Sequence, residues 1–191
     1  MNIGVLKEIK ADENRVAITP AGVEIMKHNG HVVWVEKDAG MPSGFTDDMY
    51  AAAGAEIVKS PLDIFERSEM LLRVKEPQPS ELAQLKQGQI YFAYLHLAAS
   101  KSLTQALTET GTVNIAYETI QKADGSLPLL TPMSEVAGPM AIQQGAKYLE
   151  MAQGGHGILM GGVPGVDPGT VLILGGGKVG LSAAKKASGL G

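Results

Sequence analysis

Along the first 116 residues, short apolar runs alternate with polar stretches whose apolar positions recur every three or four residues. The runs Ile3–Leu6, Val32–Glu36, Glu56–Val58, Met70–Val74, Ile90–Leu95 and Val113–Ala116 predict strands, being mostly short, apolar and bounded by turn residues. A helix between the first two is framed by Thr19 as N-cap, Pro20 at the first helical position and Gly30 past the end. Its apolar stripe is expected from Val23, Ile25 and Met26. Ser80 predicts a cap for a helix over Glu81–Gln87 stopped at Gly88, and a further helix covers Lys101–Thr110, stopped at Gly111. Gly40–Thr46, GMPSGFT, is a loop by its proline and two glycines. Strands that alternate with helices this way specify an α/β, doubly wound domain with a largely parallel sheet.

After Leu130 the texture changes. Ser134 is the expected N-cap of a long helix reaching about Met151 and stopped by Gly154–Gly155. Pro139 falls roughly a turn into it, where proline removes a backbone hydrogen bond at a cost of about 3 kcal/mol, so a kink or a delayed start is expected. A glycine-rich loop, GHGILMGGVPGVDPG, precedes a buried strand over Val171–Leu174 and a helix of small residues. Residues 1–130 are thus expected to form one domain, with 131–191 an interdomain helix and the start of a second.

Composition narrows the function. With 45% hydrophobic and 19% charged residues the chain has the balance of an ordinary globular protein. The net charge of −4, without a Lys/Arg cluster, argues against a nucleic-acid surface. Absence of cysteine excludes disulfides, thiolate metal sites and a cysteine nucleophile. No run approaches the roughly 20 apolar residues of a membrane helix, and MNIGVLKEIK lacks a signal-peptide pattern, so a cytoplasmic protein is expected.

Gly175-Gly176-Gly177-Lys178-Val179-Gly180 satisfies G-x-G-x-x-G in the context that gives the pattern meaning, after an apolar run and opening a helix. Gly175 would permit the tight turn, Gly177 the approach of a pyrophosphate, and Gly180 close packing of helix on strand. The acid that binds a ribose sits ~20 residues after such glycines, and residues 181–191 contain none, so the chain is expected to be part of something longer.

Five strings, KEIKADENRVAITPAGV, RVKEPQPSE, YFAYLHLAA, TPMSEVAG and GGVPGVDPGTVLILGGGKVG, occur in order and are spread over almost the whole chain. Together they resemble the family of alanine dehydrogenases and the NAD-binding subunit of proton-translocating nicotinamide nucleotide transhydrogenase. The resemblance implies two Rossmann-like domains, the second incomplete here, and reversible oxidation of L-alanine to pyruvate and ammonium, with hydride passed to NAD. It implies a homohexamer, no nucleic acid, no membrane and no metal. It assigns catalysis to His96 and Lys75, substrate contacts to Arg15, Lys75, Tyr94, His96 and Met133, and cofactor contacts to Ser134, Gly175, Gly177, Lys178, Val179 and Gly180.

The chemistry of these side chains suits the assignment. Arg15 offers a planar, permanently charged fork for a carboxylate, though by placement alone it is also a solvated surface arginine. Lys75, at the carboxyl end of its strand, could donate to a substrate carbonyl. His96 ends the next strand and changes charge near neutrality, as proton traffic to an imine and carbinolamine requires. Tyr94, two residues earlier, is expected on the same strand face. His28, His31 and His156 lack such placement, and Glu118 is a weaker, supporting candidate. Two departures stand out: Pro139 replaces the arginine usual in the family, and the family's catalytic aspartate has no counterpart here. The chain alone is therefore expected to bind pyruvate weakly without turnover. The alternatives are the transhydrogenase subunit, a more remote saccharopine dehydrogenase relative, and a non-catalytic small-acid-binding domain.

Overall fold

The computed structural model describes residues 1–191, which divide into two compact units, Met1–Glu118 and Thr119–Gly191. In the first, strands β1 (Asn2–Val5), β2 (Val32–Glu36), β3 (Glu56–Val58), β4 (Met70–Lys75), β5 (Ile90–Tyr94) and β6 (Val113–Ala116) form one parallel sheet. Their order is β3-β2-β1-β4-β5-β6. Helices α1 (Pro20–His28), α2 (Asp47–Ala52), α3 (Pro61–Arg67) and α4 (Lys101–Thr110) make four of the five crossovers, and a 3-10 turn lies in the one from β4 to β5.

Strand alternation sends successive side chains to opposite faces, so each face has its own core. Ile3, Val5, Val33, Val35 and Leu72 pack with Val23 of α1 and Tyr50 of α2. Leu71, Tyr91 and Ala93 pack with Ile64 and Phe65 of α3 and Leu107 of α4. This is the expected doubly wound arrangement.

Several local expectations need correction. Ile25 is exposed: with Val23 buried and Met26 packed against the core, position 25 turns to the opposite side of a 3.6-residue helix. The helix expected over Glu81–Gln87 is only a 3-10 turn, Leu82–Gln84, and Ser80 does not cap it. The Glu81 side chain is committed to Arg73 and the Gln78 amide. Helices α2 and α3, with six and seven residues, are too short to show periodicity, although Thr46 caps α2 and Pro61 opens α3. Strand β1 is one residue earlier than Ile3–Leu6, β4 runs on to Lys75, and β5 ends before Leu95.

The second unit is built on α5 (Thr131–Tyr148) and α6 (Lys178–Ser188). Helix α5 starts three residues before Ser134, whose Oγ donates back to the Leu130 carbonyl at 3.3 Å instead of capping. Pro132 takes the harmless first turn, and the helix continues through Pro139 without a delayed start. The end comes at Tyr148 rather than Met151, which opens a separate 3-10 turn closed by Gly154. The Val171–Leu174 strand does not form, and Leu172 and Leu174 lie exposed. A parallel strand exists only by pairing with neighbours, and the second unit contains no other strand.

Candidate functional site

The sheet order places a topological switch point between β1 and β4: the chain winds outward through β2 and β3, then starts again on the other side of β1. Ligands of open α/β sheets gather at the carboxyl ends of the strands at this point. The segment leaving β1 carries Glu8, Lys10, Glu13 and Arg15; β4 ends on Lys75, followed by Glu76; β5 leads through Tyr94 to His96.

Arg15 grips Glu13 with two parallel bonds, Nε to Oε1 at 2.8 Å and Nη2 to Oε2 at 2.6 Å, and its own amide adds a third at 3.0 Å. Glu13 keeps only 7% of its side chain exposed against 48% for Arg15. The Arg15 hydrogen bonds hold the Glu13 carboxyl below its ordinary value against the opposing effect of burial, and the Lys75 charge adds to this. Burial raises the Tyr94 phenol, Arg15 draws it back and Glu118 opposes Arg15. The Tyr94 and His96 rings stack at 6.5 Å and 23°, and His96 in turn acts on Glu76, which is paired with Lys10. Neighbours thus run from Lys75 through Glu13 and Arg15 to Tyr94 and His96.

His96 does not end a strand. It sits in the left-handed region, φ 50° and ψ 37°, an uncommon conformation for a residue with a Cβ. Glu118 Oε1 accepts the amides of both Leu95 (3.2 Å) and His96 (2.7 Å), which ties down this turn. The stacking of Tyr94 and His96 therefore comes from the turn, not from the strand pleat. Met133 belongs to the second unit, on α5, where it is half-buried.

Glu13 makes the region acid-sensitive. Because its folded pKa is depressed, its contribution is complete above the unfolded value of 4.5 and is lost as pH falls through the lowered folded value. Urea unfolding at about pH 6 and about pH 3.5 is expected to show a smaller loss of stability in Glu13→Gln than in the parent chain. Equal losses would contradict the assignment.

In the second unit, Gly138 of α5 lets α6 approach closely: a Cβ there would meet the Ala183 amide, the Ser182 Cβ and the Val179 carbonyl, all at 2.6 Å. Gly175 has φ 102°, open to glycine but strained for other residues. A Cβ on Gly180 would collide with the Gly175 carbonyl, whereas one on Gly177 would meet nothing. Gly177 precedes α6 without a side-chain cap, so the first amides of that helix have no capping partner from it. A cavity of about 660 Å³ with mostly apolar walls is lined by Ser134, Gly175, Gly177, Lys178, Val179 and Gly180, together with Val171–Leu174, Ala141, Ile142, Gly145, Met160 and Ala183. These features suit a pyrophosphate at the glycine turn.

Sequence reasoning passed over Glu13, Glu8 and Arg73. Arg73 left a signal, a charge inside the apolar run MLLRV, whereas nothing in the polar DENR string separates Glu13 from its neighbours.

Comparison with known proteins gives a consistent picture. Residues 4–137 match the alanine dehydrogenase/PNT N-terminal domain and residues 141–191 the alanine dehydrogenase/PNT C-terminal domain. An alanine dehydrogenase of Methanococcus maripaludis is 59% identical over all 191 residues, and one of Bacillus subtilis 55% identical. The chain spans about half the length of these relatives, 51% and 50%. Among solved structures, an L-alanine dehydrogenase superposes with a TM-score of 0.93 at 52% identity, covering all of this chain and 52% of that one. A transhydrogenase from Sinorhizobium meliloti superposes with a TM-score of 0.83 at 25% identity, covering all of this chain and 54% of that one. With both of its domain families matched in order along one chain, the protein belongs to the alanine dehydrogenase/PNT family.

Proposed function

We propose that this chain provides the substrate-binding part of an NAD-dependent alanine dehydrogenase, which interconverts L-alanine with pyruvate and ammonium. The observation that supports the reading is that Arg15, Lys75, Tyr94 and His96 all lie at or beyond the carboxyl ends of β1, β4 and β5 beside the switch point, with Glu13 held by Arg15 and acted on by Lys75. Arg15 and Lys75 are fixed cations of the site, and Arg15 stays 48% exposed although Glu13 occupies part of its fork, which suits a small anion.

In this reading Arg15 receives the substrate carboxylate at the edge of its guanidinium left over by Glu13. Lys75 donates to the carbonyl oxygen of pyruvate and stabilises negative charge that grows there. His96 holds and releases the proton that must move at the substrate oxygen and nitrogen. Tyr94 walls the site beside His96. NAD, when bound, supplies the hydride acceptor. Gly175, Gly177 and the α6 amides would hold its pyrophosphate, with Ser134, Lys178, Val179 and Gly180 alongside. Cytoplasmic residence and a hexamer belong to the same proposal; no helix is long and apolar enough to cross a membrane.

The relatives named alanine dehydrogenase stand at more than twice the identity of the transhydrogenase structure, which favours amino-acid chemistry over the alternative. Calorimetric titration of the 191-residue chain with pyruvate, acetate and NADH tests the reading. Saturable pyruvate binding, weak but at least tenfold tighter than acetate, is expected, because only pyruvate offers a keto oxygen to the Lys75 ammonium, and a bond from a charged donor contributes about 1.5–3 kcal/mol. Pyruvate and acetate binding alike would sink it.

A further inference from the structure

Strand β4 is not regular to its end. Its register on β5 shifts between Leu72 and Lys75, so the irregularity sits at Arg73–Val74, immediately before the lysine. A bulge re-aims the side chains beyond it and frees a ladder amide from its strand partner. Here the Val74 amide donates to Glu8 Oε1 at 2.6 Å. Arg73 holds that carboxylate through Nε to Oε1 at 3.1 Å and Nη2 to Oε2 at 3.3 Å. Its remaining nitrogen, Nη1, donates to Glu81 Oε1 at 2.5 Å, and Glu81 Oε2 accepts the Gln78 amide at 2.8 Å. The side chains of Arg73, Glu8 and Glu81 are 0%, 2% and 10% exposed. The Tyr91 hydroxyl donates to the Lys75 carbonyl at 3.2 Å.

A buried ion triad is a poor device for stability alone, because well-packed apolar residues of similar volume often do as well. What apolar residues cannot do is accept the Val74 amide. We propose that Glu8 is a positioning residue for Lys75: its carboxylate, locked by Arg73, fixes the bulge and so the direction in which Lys75 leaves the sheet. Glu8 also stands on the segment that carries Glu13 and Arg15, so one carboxylate sets the two cations relative to each other. The proposal rests on the reading that Lys75 meets the substrate.

The test is pyruvate titration of the full 191-residue chain as parent, Glu8→Ala, Glu8→Gln and Glu24→Ala, the last removing an exposed charge on α1. Glu8→Ala is expected to weaken binding about tenfold or more. Glu8→Gln, whose amide oxygen still accepts from Val74, should stay within about threefold, and Glu24→Ala should match the parent. If Glu8→Ala alone does not fold, the triple variant Glu8→Ala/Arg73→Met/Glu81→Gln, which leaves no buried charge of the triad without a partner, takes its place. Parent-like affinity in a folded Glu8→Ala or triple variant overturns the proposal, as does a loss in Glu8→Gln equal to that in Glu8→Ala. Should the parent itself bind no pyruvate, the substrate reading fails on its own. The decision then passes to the NMR signal of carbon-13-methylated Lys75, which must move in Glu8→Ala and hold still in Glu24→Ala; an unmoved signal overturns the proposal.

Discussion

Replacing Arg15 with alanine is expected to lower pyruvate affinity by about 100-fold, roughly 3 kcal/mol, since charge-assisted bonds to a carboxylate contribute about 1.5–3 kcal/mol each. The loss has a second source. Glu13 would keep its buried position without its counter-charge, and its carboxylate would face the substrate's own. The double variant Arg15→Ala/Glu13→Gln should therefore bind better than Arg15→Ala alone, by about threefold to tenfold, because it removes repulsion without restoring the fork. Arg15→Lys should fall between parent and alanine, as an ammonium keeps the charge and loses the two parallel bonds. Calorimetry at matched ionic strength checks the series. Affinity in Arg15→Ala within threefold of the parent would remove Arg15 from the site.

The second large effect is on stability. Arg73→Ala leaves Glu8 and Glu81 buried without their cation, and breaking a buried pair in this way costs about 3–5 kcal/mol. For a domain of this size that corresponds to a fall in Tm of roughly 10–20 °C. The triple variant Arg73→Met/Glu8→Gln/Glu81→Gln removes all three charges together and should recover most of that loss. Thermal unfolding followed by circular dichroism compares them. A small shift in Arg73→Ala, within about 3 °C, would show that the charges find other partners or water.

The pattern of apolar positions determined the alternating strand–helix architecture of the first unit. Boundaries followed wherever a strong local device marked them. Thr19 and Pro20 open α1 and Gly111 ends α4 with φ 68°, legible because caps and left-handed stops act within a few residues. Ser134 failed as a start signal because Pro132 already supplies a first turn upstream. Val171–Leu174 failed because an apolar run carries a preference for extension, while a strand is made by its neighbours.

The candidate site divides along the same line. Arg15, Lys75, Tyr94 and His96 were nameable from the sequence through the strings that carry the resemblance, and the glycine pattern through its spacing. Only the tertiary structure decided what surrounds them: that Glu13 occupies the Arg15 fork, that Glu118 bends the chain at His96, and that Glu8 and Arg73 meet at the β4 bulge. The reason is one of range. Caps, turns and periodicity involve residues a few positions apart, whereas Glu8 and Arg73 are separated by 65 positions and Leu95 and Glu118 by 23. Charges that far apart in the chain acquire partners only when parallel strands bring their ends together, and the order of those strands is settled by the packing of the whole sheet.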